Sequence, residues 1–145
     1  MAVETRSCDV ETIFPLRHAV LRAGLPPESA MYEHDRADHV AHFGAFDGET
    51  LVGCVTVHLD PLDGEPAWRL RGMAVADGVR TGGVGRKLLE AVDQHVATTP
   101  GPVTLWCNAR LPAVGFYERC GWDAVTDVYD IPGVGPHRKM VRRRT

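Results

Sequence analysis

Arg80 to Gly85 reads Arg-Thr-Gly-Gly-Val-Gly, and this stretch carries the clearest chemical signal in the chain. It follows an apolar, strand-like segment (Leu70 to Val75). Behind it Val84, Leu88, Val92 and Val96 repeat at helical spacing. A glycine-rich turn feeding a helix N-terminus presents backbone N–H groups, and the helix dipole there favours an anion. The glycines let a ligand approach the main chain with no Cβ in the way. The pattern therefore reads as a phosphate cradle. Two common nucleotide motifs fail on inspection. A dinucleotide fingerprint needs a third glycine where Leu88 stands, and a Walker A loop needs a lysine where Val84 follows Gly83. A metal reading on Asp35, His39 and His42 fares little better. Their spacing gathers ligands only on a helix, whereas the apolar run around 39–46 leans to a strand and sends 39 and 42 to opposite faces. No metal site is expected from these side chains.

The rest of the composition sets bounds. At 145 residues, one domain spanning 1–145 with a substantial core is the simplest expectation. The net charge of −3 offers no global basic field for nucleic acid or an anionic membrane surface. The one basic cluster (Arg138, Lys139, Arg142, Arg143, Arg144) is terminal and reads as a solvated strand end and tail. Four cysteines (Cys8, Cys54, Cys107, Cys120) lie far apart without a C-x-x-C pair, and the N-terminus lacks a secretory pattern. No apolar run approaches a membrane span. A cytoplasmic protein with reduced, mostly packed thiols is expected.

The elements that must position the cradle follow in order. Residues 2–7 suit a short strand. A helix capped by Asp9 or Thr12 runs to about Arg22, with Ile13, Leu16 and Val20 on one face. Pro15 fits only a first turn, so this helix either starts near Thr12 or kinks. Residues 25–38 read as a loop or short helix. Two strands, 39–46 and 51–59, meet at Asp47-Gly48 in a hairpin. A third, 67–76, follows antiparallel. After the organising helix, 103–107 is a short buried strand. Pro112 and Gly121 then bracket a helix whose Ala113, Phe116, Tyr117 and Cys120 share a face. Two closing strands, 122–129 and 137–143, complete the order β-α-β-β-β-α-β-α-β-β. This is an α/β chain with helices packed on a mixed sheet.

In these features the chain resembles the GNAT superfamily of acetyl-CoA-dependent N-acetyltransferases. The strand Met-Ala-Val followed by Arg80-Thr81-Gly82-Gly83-Val84-Gly85 is similar to the family's [Q/R]-x-x-G-x-[G/A] pyrophosphate loop. About thirty residues on, Ala113-Val114-Gly115-Phe116-Tyr117-Glu118-Arg119-Cys120-Gly121-Trp122 is similar to its A-x-x-x-Y-x-x-x-G-[F/W]. The element order matches from the first helix onward. A looser likeness (Leu16-Arg17-x-x-Val20-Leu21, Asp35 with His39 and His42, Val128-Tyr129, Pro136-His137-x-x-Met140) extends to a subgroup of small bacterial members of undefined substrate.

The resemblance implies a mostly antiparallel sheet splayed between its fourth and fifth strands. It implies that the backbone of Arg80, Thr81, Gly82, Gly83, Val84 and Gly85, with Arg86 close by, holds the acetyl-CoA pyrophosphate. Main-chain groups of Met73, Ala74 and Val75 would pair with the pantetheine arm. Many family members carry an asparagine three residues before the second motif's alanine. Here that residue is Arg110, so either Asn108 takes the role from another register or Arg110 meets the phosphates; Asn108 is favoured. The implied reaction is direct attack of an amine on the thioester. Tyr117, whose phenol is protonated at neutral pH, would protonate the leaving thiolate. A lysine-like amine costs about 4–5 kcal/mol to deprotonate at pH 7, so a base or water chain must help. Asp35, His39, His42, His58, Asp60 and Glu65 are all candidates for it, and His137 is a further acceptor-side residue. Acidic residues at the presumed mouth (Asp35, Asp38, Asp60, Asp63, Glu65) hint at a cationic amine. The acceptor is a small-molecule or peptide amine, with neither nucleic acid nor membrane as partner. Dimers are common in the family, and the oligomeric state of this chain stays open. The competing readings are an acyl-CoA-binding sensor module without catalysis and a metal-dependent enzyme built on His39 and His42.

Overall fold

Alternation of apolar residues between the two faces of its strands builds this chain around one sheet. The computed structural model describes residues 3–79 and 83–143. In chain order the elements are β1 (Val3–Cys8), α1 (Val10–Leu21), β2 (Ala41–Asp47), β3 (Thr50–Leu59), β4 (Trp68–Val75), α2 (Val84–Thr98), β5 (Thr104–Arg110), α3 (Val114–Arg119), β6 (Asp123–Ala124), β7 (Tyr129–Ile131) and β8 (Gly135–Arg143). The strands lie in the order β1-β2-β3-β4-β5-β8-β6, with β7 also paired to β8. Every ladder is antiparallel except β4–β5. The sheet is therefore mixed and mostly antiparallel, as expected.

Two features of the chain ends differ from the sequence-based expectation. The strand expected over 122–129 is two short pieces, β6 and β7, both borne by the long β8. Gly121 at φ +91° and the 3-10 pairing around Pro112 do bracket α3 as expected. Helix α1 starts at Val10, not Thr12, because the Asp9 carboxylate accepts from the Thr12 amide at 3.0 Å and caps it there. Pro15 then falls in the sixth position, inside the helix. It removes the amide that would bond the carbonyl of Glu11, an exposed residue of the first turn.

The two faces of the sheet are packed by different helices. On one, Val84, Leu88, Val92 and Val96 of α2 are buried with Val55, Val57, Trp68 and Leu70, and Tyr117 and Trp122 join them. On the other, Ile13 of α1 packs on Cys54 and Ala74, with Leu16 and Val20 half-buried beside it. Among the described residues no helix is long and apolar enough to cross a membrane.

The β4–β5 junction gives the fold its opening. Their ladder consists of Trp68↔Leu105 and Arg69↔Trp106 alone, and both strands then run on past it. The register of β4 against β3 also slips: Cys54 faces Ala74 while Thr56 faces Arg71. One extra residue is thus inserted at Gly72-Met73, a bulge that twists β4 locally. Gly72 sits at φ +63°, a conformation open to glycine and costly for residues with a Cβ. The bulge also resets side-chain parity. Leu70 faces α2 and Arg71 faces away; after the extra residue, Met73 again packs toward α2 and Ala74 toward α1.

Candidate active site

A cleft of about 550 Å³ opens where β4 and β5 part. Its walls come from the end of α1, from β4 and β5, from α3, and from the turn between β7 and β8. Met73, Ala74 and Val75 lie along one side of it, and Asn108 and Arg110 along the other. The strand segment and both alternative polar residues singled out in the sequence therefore meet in one place.

Tyr117 closes the interior end. It is 5% exposed, meets the Phe116 ring edge-on and the Trp122 ring at a tilt, and brings its hydroxyl to 4.0 Å from Met73 Sδ. Burial, with the Cys107 thiol beside it, raises its pKa well above the ordinary 10. The phenol is held protonated at any physiological pH. Burial likewise pushes the Cys107 thiol up to about 12, so the sulfur lining this cleft is not a thiolate nucleophile.

The cradle sits at the head of α2. Gly83 takes the N-cap position at φ +75°, and having no side chain it makes no side-chain cap. Val84 is fully buried in the core, and Arg86 is exposed. Gly85 lies against the Phe116 ring. Arg80, Thr81 and Gly82 lie outside the described residues.

Asn108 is oriented by Tyr129, whose hydroxyl donates to Asn108 Oδ1 at 2.6 Å. That bond leaves the amide NH₂ to face the cleft as a donor. Arg110 instead donates to the Leu21 carbonyl at 3.2 Å, reaching across to the C-terminus of α1. His137 is buried and lines the cleft. Its Nδ1 lies 2.7 Å from the Gly135 carbonyl, which can only accept, so Nδ1 carries the proton and Nε2 presents a lone pair.

Several acceptor-side expectations are corrected. Asp35 is 3% exposed and takes both guanidinium nitrogens of the fully buried Arg17 at 2.6 and 3.1 Å, together with the Tyr32 amide at 2.6 Å. His42 bonds the Thr56 hydroxyl at 2.7 Å and the Asp35 carbonyl at 2.9 Å. Both belong to a buried network that fixes the loop between α1 and β2, not to the cleft. His39 is separate from them, grouped with His34 and His58. Asp60 accepts from Arg69 at 3.3 Å, while Asp38, Asp63 and Glu65 are exposed. None of the six candidate bases lines the cleft, and neither does any aspartate or glutamate among the described residues. No cluster of three metal-ligating side chains suited to an ion occurs among the described residues.

What the sequence reading missed is basic. Arg22, Arg69 and Arg71 line the cleft beside Arg110, which the sequence had already singled out. A signal for two of them was present: in Trp68-Arg69-Leu70-Arg71, period-two alternation sends both arginines to the face opposite Trp68 and Leu70.

Known proteins share this architecture. The model of the acetyltransferase (GNAT) family matches residues 10–122. An uncharacterized N-acetyltransferase of Bacillus subtilis, YitI, is 34% identical over 143 residues, covering 97% of this chain and 95% of that one. The crystal structure of Escherichia coli ElaA superposes with a TM-score of 0.80 at 19% identity, over 98% of this chain and 100% of that one. An aminoglycoside 6′-N-acetyltransferase complexed with coenzyme A superposes at 0.76 and 17% identity, over 99% and 97%. Family model, relative and fold agree, and the chain belongs to the GNAT family of acetyltransferases.

Proposed function

We propose that this protein transfers the acetyl group of acetyl-CoA to a primary amine of a small molecule or peptide, by direct attack on the thioester. The observation that carries this reading is the meeting of Tyr117 with the parted β4 and β5. A desolvated phenol of raised pKa stands at the interior end of a cleft bordered by Met73, Ala74 and Val75. Main-chain groups of those three residues take the pantetheine arm, as a further strand would. The pyrophosphate lies on first-turn amides of α2 from Gly83 to Gly85, with Arg80, Thr81, Gly82 and Arg86 completing the loop. The Asn108 amide, oriented by Tyr129, donates to the arm.

In the reaction the amine nitrogen bonds to the thioester carbonyl carbon, and the C–S bond breaks. The departing sulfur takes the Tyr117 hydroxyl proton, and the proton that the amine loses returns to the tyrosinate through solvent. The nitrogen gives up its own proton to His137 Nε2, directly or through water, since this is the imidazole that lines the cleft with a free lone pair.

The experiment is thiol release from acetyl-CoA across a panel of amines. Turnover of some amine by the wild-type protein supports the transferase. Tight acetyl-CoA binding with no turnover on any amine favours a sensor or interaction module.

A further inference from the structure

The face of the cleft shared with α1 is cationic and lacks a counter-charge. Arg71 stands over the Tyr32 ring at 4.3 Å from its centroid, and Arg17 stands over the same ring at 4.1 Å. Both terminal nitrogens of Arg17 are taken by Asp35, Thr56 and the Ala30 carbonyl, and only its buried Nε lacks a partner. Arg71 differs: among the described residues it has no hydrogen-bond acceptor and no carboxylate partner, although it lines the cleft. Arg110 and Arg22 are near it on the cleft wall, each engaging the Leu21 carbonyl at the end of α1. The nearby carboxylates are spent, Asp35 on Arg17 and Asp60 on Arg69. These cations concentrate in one cleft of a protein whose net charge is −3. They also lie on the opposite sheet face from α2, whose N-terminus takes the donor phosphates in the reading above.

A partly buried guanidinium with free donors calls for a planar anion, which it can bind through two parallel N–H···O bonds. We propose that the acceptor carries a carboxylate beside its reacting amine, as a free amino acid does, and that Arg71, assisted by Arg110, receives that carboxylate. This rests on the transferase reading and names its substrate class. It replaces the cationic amine suggested by the acidic residues of the sequence. It also eases the chemistry. An α-amine is less basic than the lysine-type amine considered above, and neighbouring guanidiniums disfavour the ammonium form further.

The test compares L-amino acids with their carboxamides and their decarboxylated amines, with O-phosphoethanolamine as a phosphate-bearing arm. Carboxylated acceptors are expected to exceed their amides by about 10- to 100-fold in kcat/KM, the worth of a charged hydrogen bond. Arg71→Gln is expected to erase that preference by raising the acceptor KM while leaving the acetyl-CoA KM unchanged, and Arg71→Lys to restore part of it. Equal or better turnover of amides, amines or polyamines overturns the proposal. So does superiority of the phosphate arm, or an effect of Arg71→Gln on acetyl-CoA alone. Calorimetric titration of N-acetyl amino acids into the protein with coenzyme A reads the carboxylate site without turnover. No binding there, with thiol release on other amines, overturns the carboxylate and leaves the transferase standing. Binding there without thiol release on any amine supports the carboxylate site and counts against the transferase.

Discussion

A Cβ built on Gly85, in the first turn of α2, would stand 3.0 Å from Cζ and 3.3 Å from Cε1 of Phe116 in α3. The two sequence motifs, 30 residues apart, therefore touch at an aromatic face. Gly85→Ala must push that ring by a few tenths of an ångström, and Gly85→Val by more. The expected loss is about 1–3 kcal/mol of stability, the usual cost of overpacking. Weaker acetyl-CoA binding should accompany it as the head of α2 shifts. Melting temperature and coenzyme A titration calorimetry check both effects.

Tyr117→Phe removes the proton donor while keeping the ring packed on Phe116 and Trp122. A general acid contributes about 10²–10⁴-fold, so kcat should fall within that range. The acetyl-CoA dissociation constant should stay within about threefold, because the lost group meets the sulfur in the transition state only. The acid must be protonated to act, and its pKa is raised above 10. Wild-type kcat should accordingly show no downward limb from Tyr117 up to about pH 10.

Gly72→Ala attacks the bulge. The new Cβ would meet Arg17 Nε at 2.9 Å and Tyr32 Cε2 at 3.0 Å, at a backbone φ of +63°. The conformation alone costs about 1–2 kcal/mol. Straightening β4 to relieve it would return Met73 to the other face and spoil the main-chain edge of the cleft. Acetyl-CoA affinity should drop more than the stability loss alone accounts for, as urea unfolding beside calorimetry would reveal.

The Arg17–Asp35 pair is almost wholly buried, with side-chain exposures of 0% and 2%. Arg17→Met leaves a carboxylate stranded and should cost about 3–5 kcal/mol. Asp35→Asn combined with Arg17→Met removes both charges and should recover a large part of that loss. Chemical denaturation of the two single variants and the double variant gives the coupling.

Burial pushes the pKa of His58 down to about 4, with His34 stacked on it at 4.5 Å and Arg71 near. The unfolded chain takes up this proton near pH 6.5, so between about pH 6.5 and 4 it binds more protons than the folded one. Stability should fall as pH drops through that window and flatten with respect to this group below it. His58→Gln should show a shallower slope over the same range in urea titrations. An unchanged slope would mean that His58 does not carry the proton uptake.

The elements of the proposed donor half were legible because they follow local patterns. A glycine turn before an amphipathic helix, and the Phe116-Tyr117 helix after Pro112, can each be read within a dozen residues. The acceptor half was not legible, because its charges are decided by long-range pairing. Asp35 reads as a mouth residue until Arg17, eighteen positions away, is seen to claim it. His42 reads as a candidate base until Thr56 does the same. Arg71 was hidden for a different reason: its meaning comes from what does not face it. The division of 122–129 into β6 and β7 was likewise beyond local pattern, since β8 decides which residues pair.

The narrow ladder Trp68↔Leu105 and Arg69↔Trp106 makes the sheet two leaves on a short spine. The leaf β1–β4 carries the phosphate end through α2, and the leaf β5–β8 carries Asn108 and His137. A donor lying between them substitutes for missing backbone pairing, so binding it sews the leaves together. Hydrogen exchange should slow most along β4 beyond Arg71 and along β5 beyond Cys107 when coenzyme A is added. Under the proposed function the donor would be the sheet's absent strand, and loading it would raise the cooperativity of unfolding.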